Sequence, residues 1–347
     1  MNTSDTSREL SGRWPAEWEP HAATWIAWPH NRDTWPQGFA SIPACFARIV
    51  RTISEYEPVR VLAGGEAVRQ NADAMIGSLS NVTLHDIATN DVWIRDYGPM
   101  FLQGPRDDVA AVDWRFNSWG GKYPPWEQDD AVARRVAQRL GLVRFEPNIV
   151  LEGGSIDGNG AGTVLTTESC LLDPRRNGNM THRRMEEVLR HYCGVSTVIW
   201  LPGGPLAGDD TDGHVDQLAR FVSSSRVVVA VEHNPEDENH WPLHANLKIL
   251  EAFRDTSGKP LEISQLPMPA PIHSGRQRVP ASYCNFYMAN RCVLVPRFDD
   301  AADDTALKTL ESIFVDRDVI GLPARDLVGG LGALHCVTLQ QPVSPGQ

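Results

Sequence analysis

No stretch of this 347-residue chain reaches the ~18 consecutive apolar residues of a membrane-spanning helix. The opening MNTSDTSRELSGRW lacks the apolar centre of a secretory signal. Six cysteines, at 45, 170, 193, 284, 292 and 336, form no CxxC pair and no disulfide-framework spacing. These absences set the expectation of a cytoplasmic protein with free thiols. Basic charge is short as well: 32 Lys and Arg against 44 Asp and Glu leave a net −12. That balance argues against nucleic acid or an anionic membrane as a partner and is compatible with a small cationic substrate. No composition break marks a linker, and no exact repeat is visible. SWGGKYPPWEQDD and EHNPEDENHWPLH read as loops short enough to sit inside one domain. The expectation is one domain over 13–342, with tails at 1–12 and 343–347.

What is present is ordinary in bulk and unusual in detail. Hydrophobic content of 41% and charged content of 22% are those of a soluble globular protein. Several of the eleven tryptophans crowd into RWPAEWEPHAATWIAWPHNRDTW, which reads as a packing layer or a subunit contact, so a homo-oligomer stays open. The β-branched runs VRVLAG, AAVDWRF, STVIWLP, RVVVAVE and RCVLVP read as buried strands. Between them, Val132, Val136 and Leu140 recur on a helical face that Gly141 can end. Met185, Val188, Leu189 and Tyr192 do the same before Gly194, and so do Leu307, Leu310 and Phe314. Strands alternate with helices throughout, so the class is α/β or mixed α+β.

Five polar clusters adjoin strand-like runs: NDVWIRDYGP, IVLEGGS, DDTDGHVDQLARFV, SYCNFYMAN and GALHCVT. Their markers Asp96, Glu152, His214, Asn285 and Cys336 are 56, 62, 71 and 51 residues apart, which suggests similar modules sending one polar segment each to a common centre. If GHVDQLARFV is extended, His214 and Asp216 share a face and form an acid/base and cation-binding pair; alone, such a pair is equally a surface feature. Asp96 reads as the end of a strand closed by Gly-Pro, or as a mere partner of Arg95. Glu152 precedes two glycines that leave room beside it, and the following DGNG reads as a hairpin turn. A buried Glu there could orient an imidazole and raise its pKa.

Cys336 follows GGLGALH, where Gly329, Gly330, Gly332 and Ala333 keep the approach open. His335, its neighbour, would point to the opposite face of an extended segment, which leaves His214 the better base. Taken singly, a cysteine in a β-run is more often core than nucleophile. The set decides: one Cys, one His, two Asp and one Glu, without a metal quartet. A thiolate cannot attack a planar, resonance-stabilised guanidinium unaided, but two carboxylates can clamp its nitrogens and hold the carbon over sulfur. That is the physical use of Asp96 and Asp216.

These pieces, with WPAEWEPH, WGGKYPPW and LHCVTLQQP, resemble the agmatine deiminase family of the guanidine-modifying pentein superfamily across nearly the whole chain. The resemblance implies a five-bladed α/β propeller with pseudo-fivefold symmetry. It also implies cofactor-free and metal-free hydrolysis of agmatine to N-carbamoylputrescine and ammonia. By motif, Cys336 would be the nucleophile, His214 the acid and base, Asp96 and Asp216 the guanidinium clamp, and Glu152 a support for His214 or a substrate contact. Asp210 would assist agmatine binding and Trp93 would wall the pocket. Leu331 and Ala333 stand where the family commonly has Gly and Asn, which bears on the fit of the substrate's aliphatic tail. Tyr97 after Arg-Asp is shared with the bacterial peptidylarginine deiminase branch. Against this stand a deiminase of peptidylarginine or free arginine, a non-catalytic binding protein on the same fold, and a metallohydrolase built on His214 and Asp216.

Overall fold

The computed structural model describes residues 12–104 and 108–344. The tails expected at 1–12 and 343–347 therefore lie largely outside the described residues. Val343 is still tied in, its N–H donating to Pro20 O at 3.0 Å.

Each apolar run forms a strand, and the strands assemble into several small sheets rather than one large one. Four sheets repeat a single order: a strand, its antiparallel neighbour, a helix, then a third strand parallel to the second. The first consists of Met100–Gln103, Val109–Val112 and Val143–Phe145. The second is Ile156–Gly158, Thr163–Thr167 and Thr197–Leu201. The third is Ala219–Phe221, Arg226–Val231 and Glu262–Pro267. The fourth is Tyr287–Ala289, Cys292–Arg297 and Asp318–Pro323. Parallel neighbours need a long crossover, supplied by the helices Val132–Leu140, His182–Cys193, His240–Ala252 and Asp303–Ile313.

A fifth sheet follows the same rule but joins the two ends of the described chain. Its first strand, Leu339–Pro342, pairs antiparallel with His21–Ala27 (Trp25 opposite Leu339), and helix Ile42–Ser54 leads to the parallel strands Val59–Leu62 and Val82–His85. The architecture is thus a mixed α/β fold. Among the described residues, no helix is long and apolar enough to cross a membrane.

Packing follows the sequence periodicities. Helix Ile42–Ser54 buries Ile42, Phe46, Ile49, Val50 and Ile53 on one face, spaced by three and four residues. Gly141 and Gly194 end their helices in the left-handed conformation, where a side chain would be strained. Trp25, Trp28 and Trp35 are core residues whose indole N–H groups donate to Gln341, Asn71 and Leu327 O. The early tryptophan run therefore supplies a packing layer. One loop expectation is corrected: EHNPEDENHWPLH turns helical at His240. SWGGKYPPWEQDD contains a left-handed turn at Ser118–Gly121 and a helical turn at Glu127–Asp130.

In each sheet, the segment entering the first strand carries one of the polar clusters. Asp96 and Glu152 stand four residues before Met100 and Ile156, Asp216 and Cys336 three before Ala219 and Leu339, and Asn285 two before Tyr287. In the four three-stranded sheets described first, the first strands are largely buried and the third strands partly exposed. The near-regular spacing of the clusters is thus the length of one strand-strand-helix-strand unit.

Candidate active site

Three of the clusters meet at a glycine. A Cβ added to Gly154 would lie 2.7 Å from His214 Nδ1, 2.8 Å from Asp96 Oδ1 and 3.0 Å from Asp216 Oδ2. Only the absence of a side chain in the GGS segment lets the three polar groups converge. Gly154 N–H also donates to Asp96 Oδ1 at 3.0 Å, and Trp119 Nε1 donates to Asp96 Oδ2 at 3.0 Å. His214 Nδ1 lies 3.6 Å from Asp96 Oδ1.

The local conformations differ from the sequence expectation. Asp96 sits in a helical turn, Ile94–Tyr97, not at a strand end. His214 precedes a 3-10 turn, Val215–Gln217, that carries Asp216, so strand alternation does not bring that pair together. Turns of three or four residues are too short to leave a periodic signal.

Cys336 also lies in a turn rather than a β-run. Its sulfur is 3.2 Å from Asn285 Nδ2 and 3.6 Å from Asp216 Oδ2. Asn285 Oδ1 accepts from the backbone N–H of His335 and of Cys336, at 3.0 and 3.4 Å, and so pins the turn that presents the thiol. In the sequence Asn285 only marked its cluster. The His335 ring bridges Asp216 and Glu17, sharing with the sulfur the oxygen Asp216 Oδ2.

Glu152 lies at the same centre but bonds elsewhere. Arg176 Nε is 2.9 Å from both its oxygens, and both side chains are fully buried. A Glu152 oxygen, the Cys170 sulfur and a His214 ring nitrogen lie within 4.8 Å of one another. The carboxylate is already paired with the Arg176 guanidinium, whose positive charge opposes a cation there. His214 Nε2 has no hydrogen-bond partner among the described residues. The expected Glu152–His214 hydrogen bond is thus absent, although the charges are close. Arg176, which the sequence reading missed, also holds Asp212 and Thr211 O.

Burial and clustered charge shift the acids and bases. Burial raises Asp96 to about 6; His214 opposes this, and Asp216 and Glu152 add to it. Burial works against a charged His214, yet Asp96, Cys170 and Glu152 hold it well above its ordinary value. Burial would raise Asp216 too, but His335, His214 and Arg220 keep it below the usual range. Burial and the Asp216 and Asp96 carboxylates push the Cys336 thiol well up.

A cavity of about 640 Å³ opens onto Cys336 and Asp96. Trp93 and Asp210 line it, and Tyr123 OH donates to Asp210 Oδ2 at 2.6 Å. Its ionisable lining is Asp33, Asp91, Asp96, Asp129 and Asp210 against one base, Lys122, which is paired with Asp212 at 2.8 Å. The glycines before Cys336 line this space. Two of them make room for indole rings, since a Cβ on Gly330 would strike Trp35 and one on Gly332 would strike Trp93. Leu331 also lines the cavity and holds φ of 74°, in the left-handed region that favours glycine.

Comparison with known proteins agrees over the full chain. The profile of Porphyromonas-type peptidyl-arginine deiminases matches residues 13–342. The agmatine deiminase of Ectopseudomonas mendocina (strain ymp) is 38% identical, with all of both chains aligned. The structure of the agmatine deiminase of Enterococcus faecalis superposes with a TM-score of 0.91 at 30% identity, covering 96% of each chain. A substrate-bound agmatine deiminase of C. jejuni gives 0.87 at 30% identity, covering 95% of this chain and 96% of that one.

Proposed function

The chain belongs to the Porphyromonas-type peptidyl-arginine deiminase family, and on that footing we propose that it is an agmatine deiminase. The observation that carries this is the convergence of Cys336 Sγ, Asp96, Asp216 and His214, with Cys336 and Asp96 opening onto a cavity lined by several aspartates. Agmatine is a dication, with a guanidinium at one end and an ammonium at the other. Free arginine would bring a carboxylate beside the lining aspartates, and among the described residues no arginine lines the cavity to receive it. The five sheets, each feeding one segment to the centre, support reading the fold as a five-bladed propeller and a single catalytic domain.

In this mechanism Asp96 and Asp216 grip the guanidinium nitrogens and set its carbon over the sulfur. The resting Cys336 is a thiol, because burial and then the nearby acids push its pKa up. A bound guanidinium brings positive charge to that spot, which favours loss of the thiol proton to solvent. Thiolate attack forms the C–S bond. His214, held protonated by the surrounding acids, then gives its proton to the departing nitrogen as the C–N bond breaks and ammonia leaves. The amidino-cysteine that remains is hydrolysed by a water whose proton goes to the now neutral His214. Collapse breaks the C–S bond, releases N-carbamoylputrescine and returns the thiol. Glu152, paired with Arg176, holds negative charge near His214. Asp210 and Trp93 are placed by the cavity to meet the ammonium tail and the aliphatic chain.

The test is incubation with agmatine while ammonia and carbamoylputrescine are followed, with mass spectrometry of protein quenched in turnover. An amidine-sized addition on the Cys336 peptide, lost together with turnover in Cys336→Ser, is expected. An inactive wild type that hydrolyses a different guanidine would overturn the substrate assignment.

A further inference from the structure

The N-terminal motif WPAEWEPH takes no part in the steps above, yet its Glu17 is buried behind the site. Glu17 Oε2 lies 2.8 Å from His335 Nε2 and 3.2 Å from an Arg95 nitrogen. Glu17 Oε1 lies 3.0 Å from Arg220 and accepts from Met288 N–H at 2.9 Å. The other nitrogen of the same imidazole, His335 Nδ1, is 2.8 Å from Asp216 Oδ2. Asp216 Oδ1, equally buried, has no hydrogen-bond partner among the described residues. An ionised carboxylate only accepts hydrogen bonds, so Asp216 Oδ2 is the acceptor in its contact with His335 Nδ1. One oxygen of Asp216 is thereby tied down and the other left for an incoming N–H donor.

We propose that His335, clamped between Glu17 and Asp216, is a positioning residue for the guanidinium clamp. It fixes the Asp216 carboxylate with Oδ1 free for substrate and keeps that carboxylate ionised. The inference rests on the deiminase reading. The charged and titratable groups around Asp216 are His335, His214, Arg220, Asp96, Cys284 and Cys336. Around His335 stand Asp216 and Glu17, with Arg95 Nε on its carbonyl at 3.4 Å. Burial would raise both acids, but Asp216 is held down chiefly by His335, and Glu17 by Arg220, His335 and Arg95. Removing the His335 ring takes away the principal contact that keeps Asp216 below the usual range.

Glu17→Gln and His335→Gln test this, with circular dichroism and thermal melting to establish folding, and kcat and KM for agmatine followed across pH. We expect KM to rise at least about tenfold with a smaller loss in kcat. The acid limb of kcat/KM should move up by about one pH unit and steepen, as Asp216 joins Asp96 in titrating. A residue that only packs would lower the melting temperature and move neither KM nor the limb. Folded variants with KM within about twofold of wild type and an unmoved limb overturn the proposal. Failure of both variants to fold overturns it too, because the bridge is then structural. If wild type is inactive on agmatine, the substrate reading fails; the variants are then measured on whichever guanidine the wild type hydrolyses, and the inference falls if there is none.

Discussion

At the residue scale the site is organised by unequal acids. Asp96, raised to about 6, is neutral below that value and then cannot grip a cation, whereas Asp216 stays ionised. We therefore expect kcat/KM to fall about tenfold per pH unit below about 6, with a slope of one proton; a limb below pH 5 would show that Asp96 is not the titrating group. Leu331 occupies a backbone region that costs a residue with a Cβ about 1–2 kcal/mol. A β-branched side chain fits there worse still, so Leu331→Val should lose about 1–2 kcal/mol in denaturant unfolding. Leu331→Asn, which tolerates this conformation, should lose less, and equal losses would remove backbone conformation as the cause. Cys336, His214, Asp96 and Asp216 were legible because their side-chain chemistry has one coherent use. Arg176, Glu17 and the role of His335 were not, since their partners come from remote parts of the chain. His335 was judged by strand alternation in a segment that is a turn.

At the element scale, the unit of construction is a connection followed by a buried strand. The long periodic helices and apolar strands could be read directly, down to their terminal glycines at 141 and 194. The connections could be read only as clusters, because turns such as Ile94–Tyr97 and Val215–Gln217 have no period. Their geometry is nonetheless tightly set, and Gly154 shows by how much. A methyl group there would sit within 3.0 Å of His214, Asp96 and Asp216, closer than real Cβ atoms come. Gly154→Ala should cost at least about 100-fold in kcat/KM, since displacements near 1 Å in a reacting geometry carry that penalty. Steady-state kinetics on folded Gly154→Ala would decide, and near wild-type rates would mean the three groups need not meet.

At the scale of the whole molecule, the net −12 charge and the acidic cavity lining favour a dication before contact. Salt screens such attraction. Raising ionic strength from about 0.02 to 0.5 M should therefore increase KM for agmatine several-fold with kcat within about twofold. A KM indifferent to salt would confine the electrostatics to direct contacts. Alternation of strands and helices gave the fold class from sequence, but the pairing of Leu339–Pro342 with His21–Ala27 carries no local signal. That pairing has a consequence for synthesis. The strand that seats the nucleophile is the last of its set to leave the ribosome, and it docks against the one made earliest. A nascent chain halted before residue 339 would lack Leu339–Pro342, so the turn that carries Cys336 would have no strand to tie it to His21–Ala27.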